Sequence, residues 1–163
     1  MTGKDFETVK LFRGRMSVAL PPDFKDMPDY IAKKKYPSKF RPPVIMMNKD
    51  TTVNYLFHLM EQPLPKAELE NAAKGFYINI KRTYPKGIFD EIKIIDRVDG
   101  KAAWFAYDTP VMDGKLFNVA YLTDIGGKLM YGAFNCILED KDIWTDRVLY
   151  SIASIQEAGG QAL

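Results

Sequence analysis

Residues 92–138 read IKIIDRVDGKAAWFAYDTPVMDGKLFNVAYLTDIGGKLMYGAFNCIL, and this stretch decides the fold. Four apolar-rich runs, Ile92 to Val98, Ala102 to Tyr107, Leu116 to Leu122 and Leu129 to Leu138, are separated by Asp99-Gly100, Asp113-Gly114 and Gly126-Gly127. Such pairs accept the positive φ angles of two-residue hairpin loops, so the stretch predicts an antiparallel meander of four strands. Downstream, Asp142 is placed to cap a helix in which Trp144, Val148, Ile152 and Ile155 form one stripe, ending at Gly159-Gly160. Trp144 is expected to anchor that helix on the sheet.

Upstream, Pro65 suits the first turn of a helix. Leu69, Ala72, Ala73, Phe76 and Ile80 then recur at spacings of three and four, and Pro85 stops the helix near Tyr84. Before it, Val44 to Met47 and Val53 to Met60 predict a hairpin through Asn48, Lys49 and Asp50. Val53, Tyr55, Phe57 and Leu59 share one face of the second strand, and Asn54, Leu56, His58 and Met60 share the other. Apolar weight on both faces predicts a central strand covered on both sides. Asp29 to Lys35 forms a short helix stopped by Tyr36-Pro37, and the alternation from Phe12 to Leu20 predicts a strand ended by Pro21-Pro22. The expected architecture is α+β: an antiparallel sheet of six to seven strands flanked by helices as an α/β/α sandwich. It forms a single domain over 1–163 with flexible ends at about 1–9 and 159–163.

That order of elements resembles a known superfamily, the PsbP-like fold shared by the PsbP photosystem proteins, the Ran-binding Mog protein and the DcrB-like bacterial families. The residues behind the resemblance are Met16-Ser17-Val18-Ala19-Leu20-Pro21 with Phe24 soon after, and the Gly-punctuated meander. Lys128-Leu129-Met130-Tyr131 then leads through Phe134-Asn135-Cys136 to Trp144 and Ser151-Ile152. The resemblance implies a protein that mostly lacks enzymatic activity and acts by binding other proteins. Bacterial relatives include chaperones that hold hydrophobic segments of secreted effectors. The calcium or manganese association of the photosystem branch has no matching motif here, and no family binding residue is carried over.

Composition narrows the function. The 163 residues are 47% hydrophobic and 27% charged, with one Cys and one His. These counts exclude a disulfide framework within the chain and the usual four-ligand Cys/His zinc sites. Twenty-three Lys+Arg against 21 Asp+Glu give a net charge of +2, far from the basic excess of a dedicated nucleic-acid binder. No apolar run approaches a membrane span, so no membrane insertion is expected. The first fifteen residues lack the apolar core of a signal peptide, which predicts a cytoplasmic protein.

Individual residues offer little chemistry. His58 lies in a strand with no pattern supplying a nucleophile. Cys136 shares a strand face with Met130, Phe134 and Leu138 and reads as core. Asp140, Asp142 and Asp146 lack the order of a calcium loop and read as acids at a helix start. Asp124-Ile125-Gly126-Gly127-Lys128 lacks the spacing of a phosphate loop. Phe76, Tyr77, Tyr84, Trp104, Phe105, Tyr107, Phe117 and Tyr121 are expected chiefly to pack the sheet. No catalytic residue, cofactor or metal site is expected.

Charge, however, is uneven: residues 1–50 hold 11 Lys+Arg and 6 Asp+Glu, the remainder 12 and 15. The basic run Lys33, Lys34, Lys35, Lys39 and Arg41, interleaved with Tyr36 and Phe40, has no acid between positions 33 and 41. It is the predicted partner-binding site, matched to an acidic protein surface. The expected function is a non-enzymatic adaptor or chaperone that binds another protein and forms, as a further option, a homodimer. The alternative is a small-molecule or lipid-binding protein with a pocket between sheet and helix.

Overall fold

The computed structural model describes residues 5–39, 41–50 and 52–157. In chain order the elements are β1 (Glu7–Leu11), β2 (Met16–Leu20), β3 (Lys25–Asp26), α1 (Asp29–Lys35), β4 (Val44–Met47), β5 (Asn54–Pro63) and α2 (Leu69–Thr83). There follow β6 (Ile88–Phe89), β7 (Lys93–Arg97), β8 (Gly100–Val111), β9 (Gly114–Ile125), β10 (Lys128–Ile137), α3 (Lys141–Ala153) and β11 (Gln156–Glu157). The meander β7 to β10 pairs antiparallel throughout, and β10 continues onto β5, giving the order β3-β4-β5-β10-β9-β8-β6 with β7 also on β8. Of these eight described strands, β3 and β6 are two-residue pieces, leaving six longer ones. Strands β1, β2 and β11 form a separate three-stranded sheet.

The last hairpin loop of the meander uses its glycines as expected, with φ of 57° at Gly126 and 77° at Gly127. The other two loops sit one residue earlier, at Val98-Asp99 and Met112-Asp113, because Arg97 pairs with Gly100 and Val111 with Gly114. In the first of them Asp99 is held by side-chain bonds to Arg97 and to the Glu157 amide, which close the loop without a positive φ.

Three expectations are corrected at the chain's two ends. Residues 12–20 are not one strand: Phe12 and Arg13 take φ of 56° and 58°, reversing the chain so that Leu11 pairs with Met16. Phe12 still packs against the core, which kept the apolar alternation in phase across a turn. Residues 7–9, placed in a flexible end by the sequence reading, are fastened in β1 opposite Val18 to Leu20. The final helix ends at Ala153, because Gln156 and Glu157 turn back to pair with Ser17 and Met16. Gly159-Gly160, and the rest of the expected flexible end at 159–163, lie outside the described residues. At the other end of α3 the cap position is Asp140, which makes no side-chain cap bond, and Asp142 lies within the first turn, where it favours the helix dipole.

Strand alternation sorts the sheet into two faces. One carries Tyr55, Phe57, Met130, Phe134, Val119 and Tyr121 and is covered by α3 and the β1–β2 hairpin. Trp144 anchors α3 there, its ring 5.7 Å from Phe24 and 5.6 Å from Phe134. Gly132 is required on this face: a Cβ would stand 2.1 Å from a ring carbon of Tyr121, whose hydroxyl reaches over β10 to donate to the Leu56 carbonyl at 3.1 Å. On the opposite face α1 packs on Ile45 and Leu56, and α2 packs on Ala103, Leu122, Leu129 and Phe105. Helices on both faces make the sandwich α/β/α.

A buried arginine closes the structure at one end of the sheet. Arg97 donates from Nε to Thr123 Oγ1 at 2.7 Å, and from Nη2 and Nη1 to the carbonyls of Asp124 and Ile155 at 2.8 and 3.2 Å. It also pairs with Asp99, and Glu157 approaches at 3.9 Å while accepting from the Gly126 amide at 3.0 Å. The guanidinium thus joins the β7–β8 turn, the β9–β10 turn and the strap Ile155–Glu157. Each of its three nitrogens donates to an oxygen, the condition under which a buried cation is tolerated.

Candidate binding surface

The short helix α1 follows Pro28 and carries Asp29 in its first turn and Lys33, Lys34 and Lys35 in its last, complementing the dipole at both ends. Ala32 faces the sheet and all three lysines are exposed. Partial burial lowers the Lys35 pKa. Past the helix, Arg41 donates through Nη1 to the Ser38 carbonyl at 3.0 Å and lies 3.5 Å from that of Tyr36, which gathers the loop onto the helix end. Lys39 and Arg41 line a groove of about 570 Å³ with Asp26, Asp29 and Pro42-Pro43. Phe40 lies outside the described residues. Tyr36 is not on the basic exterior: it is half-buried, its hydroxyl accepting from Asn135 Nδ2 at 3.1 Å.

That tyrosine leads to an opening the sequence reading did not single out. On the face shared by α1 and α2, Asn135 lies opposite Asn118, which lies opposite Tyr107. Two residues along come Ala133 and Ala120, and two further Tyr131, opposite both His58 and Leu122. Ala133, Asn135, Tyr131 and His58 are half-buried although β5 and β10 are interior strands, because α1 and α2 part above them. Ala120 is buried beside Phe105 and Tyr107 against Ile80 of α2, and Ala133 packs with Tyr36 on the α1 side. Tyr131 stands 5.3 Å from Phe76 and 6.2 Å from His58, and Tyr84 stands 6.1 Å from Tyr107.

Burial raises the pKa of Tyr36, Tyr107 and Tyr131, and the nearby phenol of Tyr84 raises all three further; at Tyr36 the Asn135 bond partly offsets this. The hydroxyls stay protonated near neutral pH. Asn54 Nδ2 donates to Asn135 Oδ1 at 2.9 Å, and Asn54 Oδ1 is buried with no partner among the described residues. The signal available in the sequence was amides at 54, 118 and 135 on strand faces that are mainly apolar.

The remaining candidates are placed as follows. His58 has the Tyr131 ring as its described neighbour. Cys136 is buried on the opposite face, its thiol pushed up to about 12 by burial and then by Asp140. Among the described residues no three His, Cys, Asp or Glu gather into a metal-holding group. A groove of about 650 Å³ beside Leu69 and Ile94 contains Lys66 and Asp124, already paired at 3.2 Å, and Lys101, paired with Asp96 at 2.7 Å. Of the aromatics expected to pack, Phe76, Tyr84 and Tyr107 border the opening, whereas Trp104, Phe117 and Tyr121 face the other side. Among the described residues no helix is long and apolar enough to cross a membrane.

No protein-family model and no curated protein matches the chain by sequence. Solved structures do match in shape. Cyanobacterial PsbP (CyanoP) from Synechocystis sp. PCC 6803 superposes with a TM-score of 0.66 at 10% identity, covering 94% of this chain and 92% of that one. The Saccharomyces cerevisiae Ran-binding protein Mog1p gives 0.60 at 12% identity over 93% and 95%. LpqN, involved in cell envelope biogenesis of Mycobacterium tuberculosis, gives 0.59 at 9% identity over 93% and 89%. With the sheet order and the placement of its helices, these likenesses give the chain the PsbP-like fold.

Proposed function

We propose that this chain is a non-enzymatic, cytoplasmic protein-binding module of adaptor or chaperone type. It presents the end of α1 and the following loop, through Lys33, Lys34, Lys35, Lys39 and Arg41, to an acidic surface of a partner protein. The observation that carries the reading is the exposed lysine triplet in the last turn of α1, with Arg41 drawing the loop onto that turn. A similarly folded chain, Mog1p, is a Ran-binding protein, a precedent for protein recognition on this scaffold. The non-enzymatic part is supported by Cys136, whose thiol is far from its reactive form, and by His58, which stands against a tyrosine ring. Chemical crosslinking in extract of the native cell, with wild type beside Lys33→Glu/Lys34→Glu/Lys35→Glu, tests it. Loss of the wild-type crosslinked species in the variant is expected, and an unchanged set refutes the surface.

A second reading, a small-molecule pocket between sheet and helix, is favoured by the opening between α1 and α2. Its border of hydroxyls and amides suits a polar ligand better than an acyl chain. Native mass spectrometry showing a co-purified ligand of defined mass is the result that would put it first.

A further inference from the structure

The groove between α1 and the free edge of the sheet holds charges of both signs that do not meet. Strand β3 pairs with β4 only through Lys25 and Asp26, the Met27 amide donates to the Ile45 carbonyl at 2.8 Å, and the chain then leaves into α1. Beyond that point Val44 and Pro42-Pro43 border a space of about 570 Å³. Its apolar lining is Met27, Ala32 and Ile45, each at most 7% exposed. Prolines have no N–H to donate, which disfavours a further strand along this edge, and the volume is that of a small-molecule site.

Asp26 and Asp29 line the groove together with Lys39 and Arg41. Among the described residues neither aspartate has an ion-pair partner. Arg41 donates through Nη1 to main-chain carbonyls, leaving Nε and Nη2 with hydrogen bonds to give. Unpaired opposite charges in one groove would gain by closing on each other, and the framework prevents it. Ala32 packs α1 on Ile45 and Leu56, the Arg41–Ser38 bonds fix the loop, and Pro42-Pro43 restrict φ.

The lining is balanced, two acids against two bases. Outside it the surface is basic, with Lys25, Lys33, Lys34 and Lys35 against Asp23, but these groups are exposed and screened by salt, so the lining decides. A simple anion drawn to Arg41 would share the groove with two carboxylates, and a simple cation drawn to the aspartates would share it with two cations. A solute carrying both groups satisfies both sets, each through charge-assisted bonds.

We propose that this groove binds a small zwitterion, an amine and a carboxylate joined by a short aliphatic chain. Its ammonium pairs with Asp26 and Asp29, its carboxylate with Lys39 and Arg41, and its chain lies over Met27 and Ile45. The site shares Lys39 and Arg41 with the surface proposed above and does not rest on that surface having a partner.

The probes are glycine, β-alanine, γ-aminobutyrate and ε-aminocaproate, a ruler of rising charge separation, with butylamine and butyrate as single-charge controls. Binding to the isotope-labelled full chain is followed by amide chemical shifts in nuclear magnetic resonance. At least one member of the series should shift Asp29, Ala32 and Val44 saturably, while neither control does so at the same concentration. Asp29→Asn and Arg41→Gln should each weaken that member about tenfold or more. The comparison with the controls needs no variant to fold. Absence of binding by the whole series, an equal response to butylamine or butyrate, or unchanged affinity in both variants overturns the proposal. A Lys-Glu dipeptide blocked at both ends that binds more tightly than every member would assign the groove to a protein segment and overturn the small-solute assignment.

Discussion

The two faces of the sheet are built from the same four strands yet end in opposite states. On the α3 face the rings of Tyr55, Phe57, Tyr121 and Phe134 are at most 1% exposed, and Tyr55 spends its hydroxyl on Ser151 Oγ at 3.0 Å. On the face of α1 and α2, Tyr131 and His58 remain half-buried and Tyr84 is 44% exposed. The covering elements account for the difference. A 13-residue helix and a hairpin seal the first face, whereas the second has a 15-residue helix over one half, a 7-residue helix over the other and a gap between them. Packing therefore consumes one face and leaves the other with polar groups that still have hydrogen bonds to give.

Breaking the sealed side should be costly. Arg97→Met takes the cation from Asp99, leaves the carbonyls of Asp124 and Ile155 without their donor and releases the Ile155–Glu157 strap, and a loss of about 3 to 5 kcal/mol is expected in urea unfolding. A midpoint equal to wild type would show that the arginine is dispensable. Trp144→Ala should cost a similar amount, about 3 to 5 kcal/mol, through lost contact with Phe24 and Phe134 and the cavity left behind, read as a lowered melting temperature. Gly132→Ala forces the Tyr121 ring off β10 and should cost about 1 to 3 kcal/mol. In that variant the Tyr121 bond to Leu56 should also be lost, which near-ultraviolet circular dichroism detects.

Alkaline pH sharpens the same contrast. The Cys136 thiol is raised from its ordinary 9.0 to about 12. A group raised in the folded state contributes stability that is whole below its unfolded pKa and is lost as pH rises toward its folded one. Unfolding free energy should therefore fall between pH 9 and about 12, this thiol contributing up to about 1.4 kcal/mol per pH unit. Tyr55 and Tyr121, raised by burial first, steepen the fall from about pH 10. Cys136→Ala should flatten the early part of that limb, and an identical slope would contradict the assignment. On the open face, Tyr131→Phe removes a hydroxyl that bonds to none of the described residues, and the smallest effect is expected there, within about 0.5 kcal/mol.

Much of the scaffold was legible in the chain because the relevant signals are local. The meander announced itself through Gly-containing pairs at each break, α2 through the spacing of Leu69, Ala73, Phe76 and Ile80, and the interior position of β5 through its two apolar faces. The errors came where a long-range partner overrode the local pattern. Phe12 continued an apolar alternation while sitting in a turn, and α3 stopped at Ala153 because β11 pairs with β2, some 140 residues earlier in the chain. The shifted loop at Val98-Asp99 is of the same kind, since Asp99 accepts from the Glu157 amide, 58 positions later in the chain.

The candidate site divides along the same line. Charge is a property of composition, so the lysines of α1 stood out before any fold was known. The opening beside them depends on which residues of β5, β10, β9 and β8 share a row, and on where two helices separate. Its members, Tyr36, His58, Tyr84, Tyr107, Asn118, Tyr131 and Asn135, are scattered over about 100 positions and form no motif.

By itself, then, the sequence determined the class of fold, the central strand and the sign of the exposed helix end, since periodicity, turn chemistry and formal charge act over a few residues. The tertiary structure alone decided that Arg97 is buried at a three-way junction and that His58, Tyr131 and Asn135 stay half-buried on interior strands. Both are matters of register and of helix length against sheet width, set when distant segments pack together.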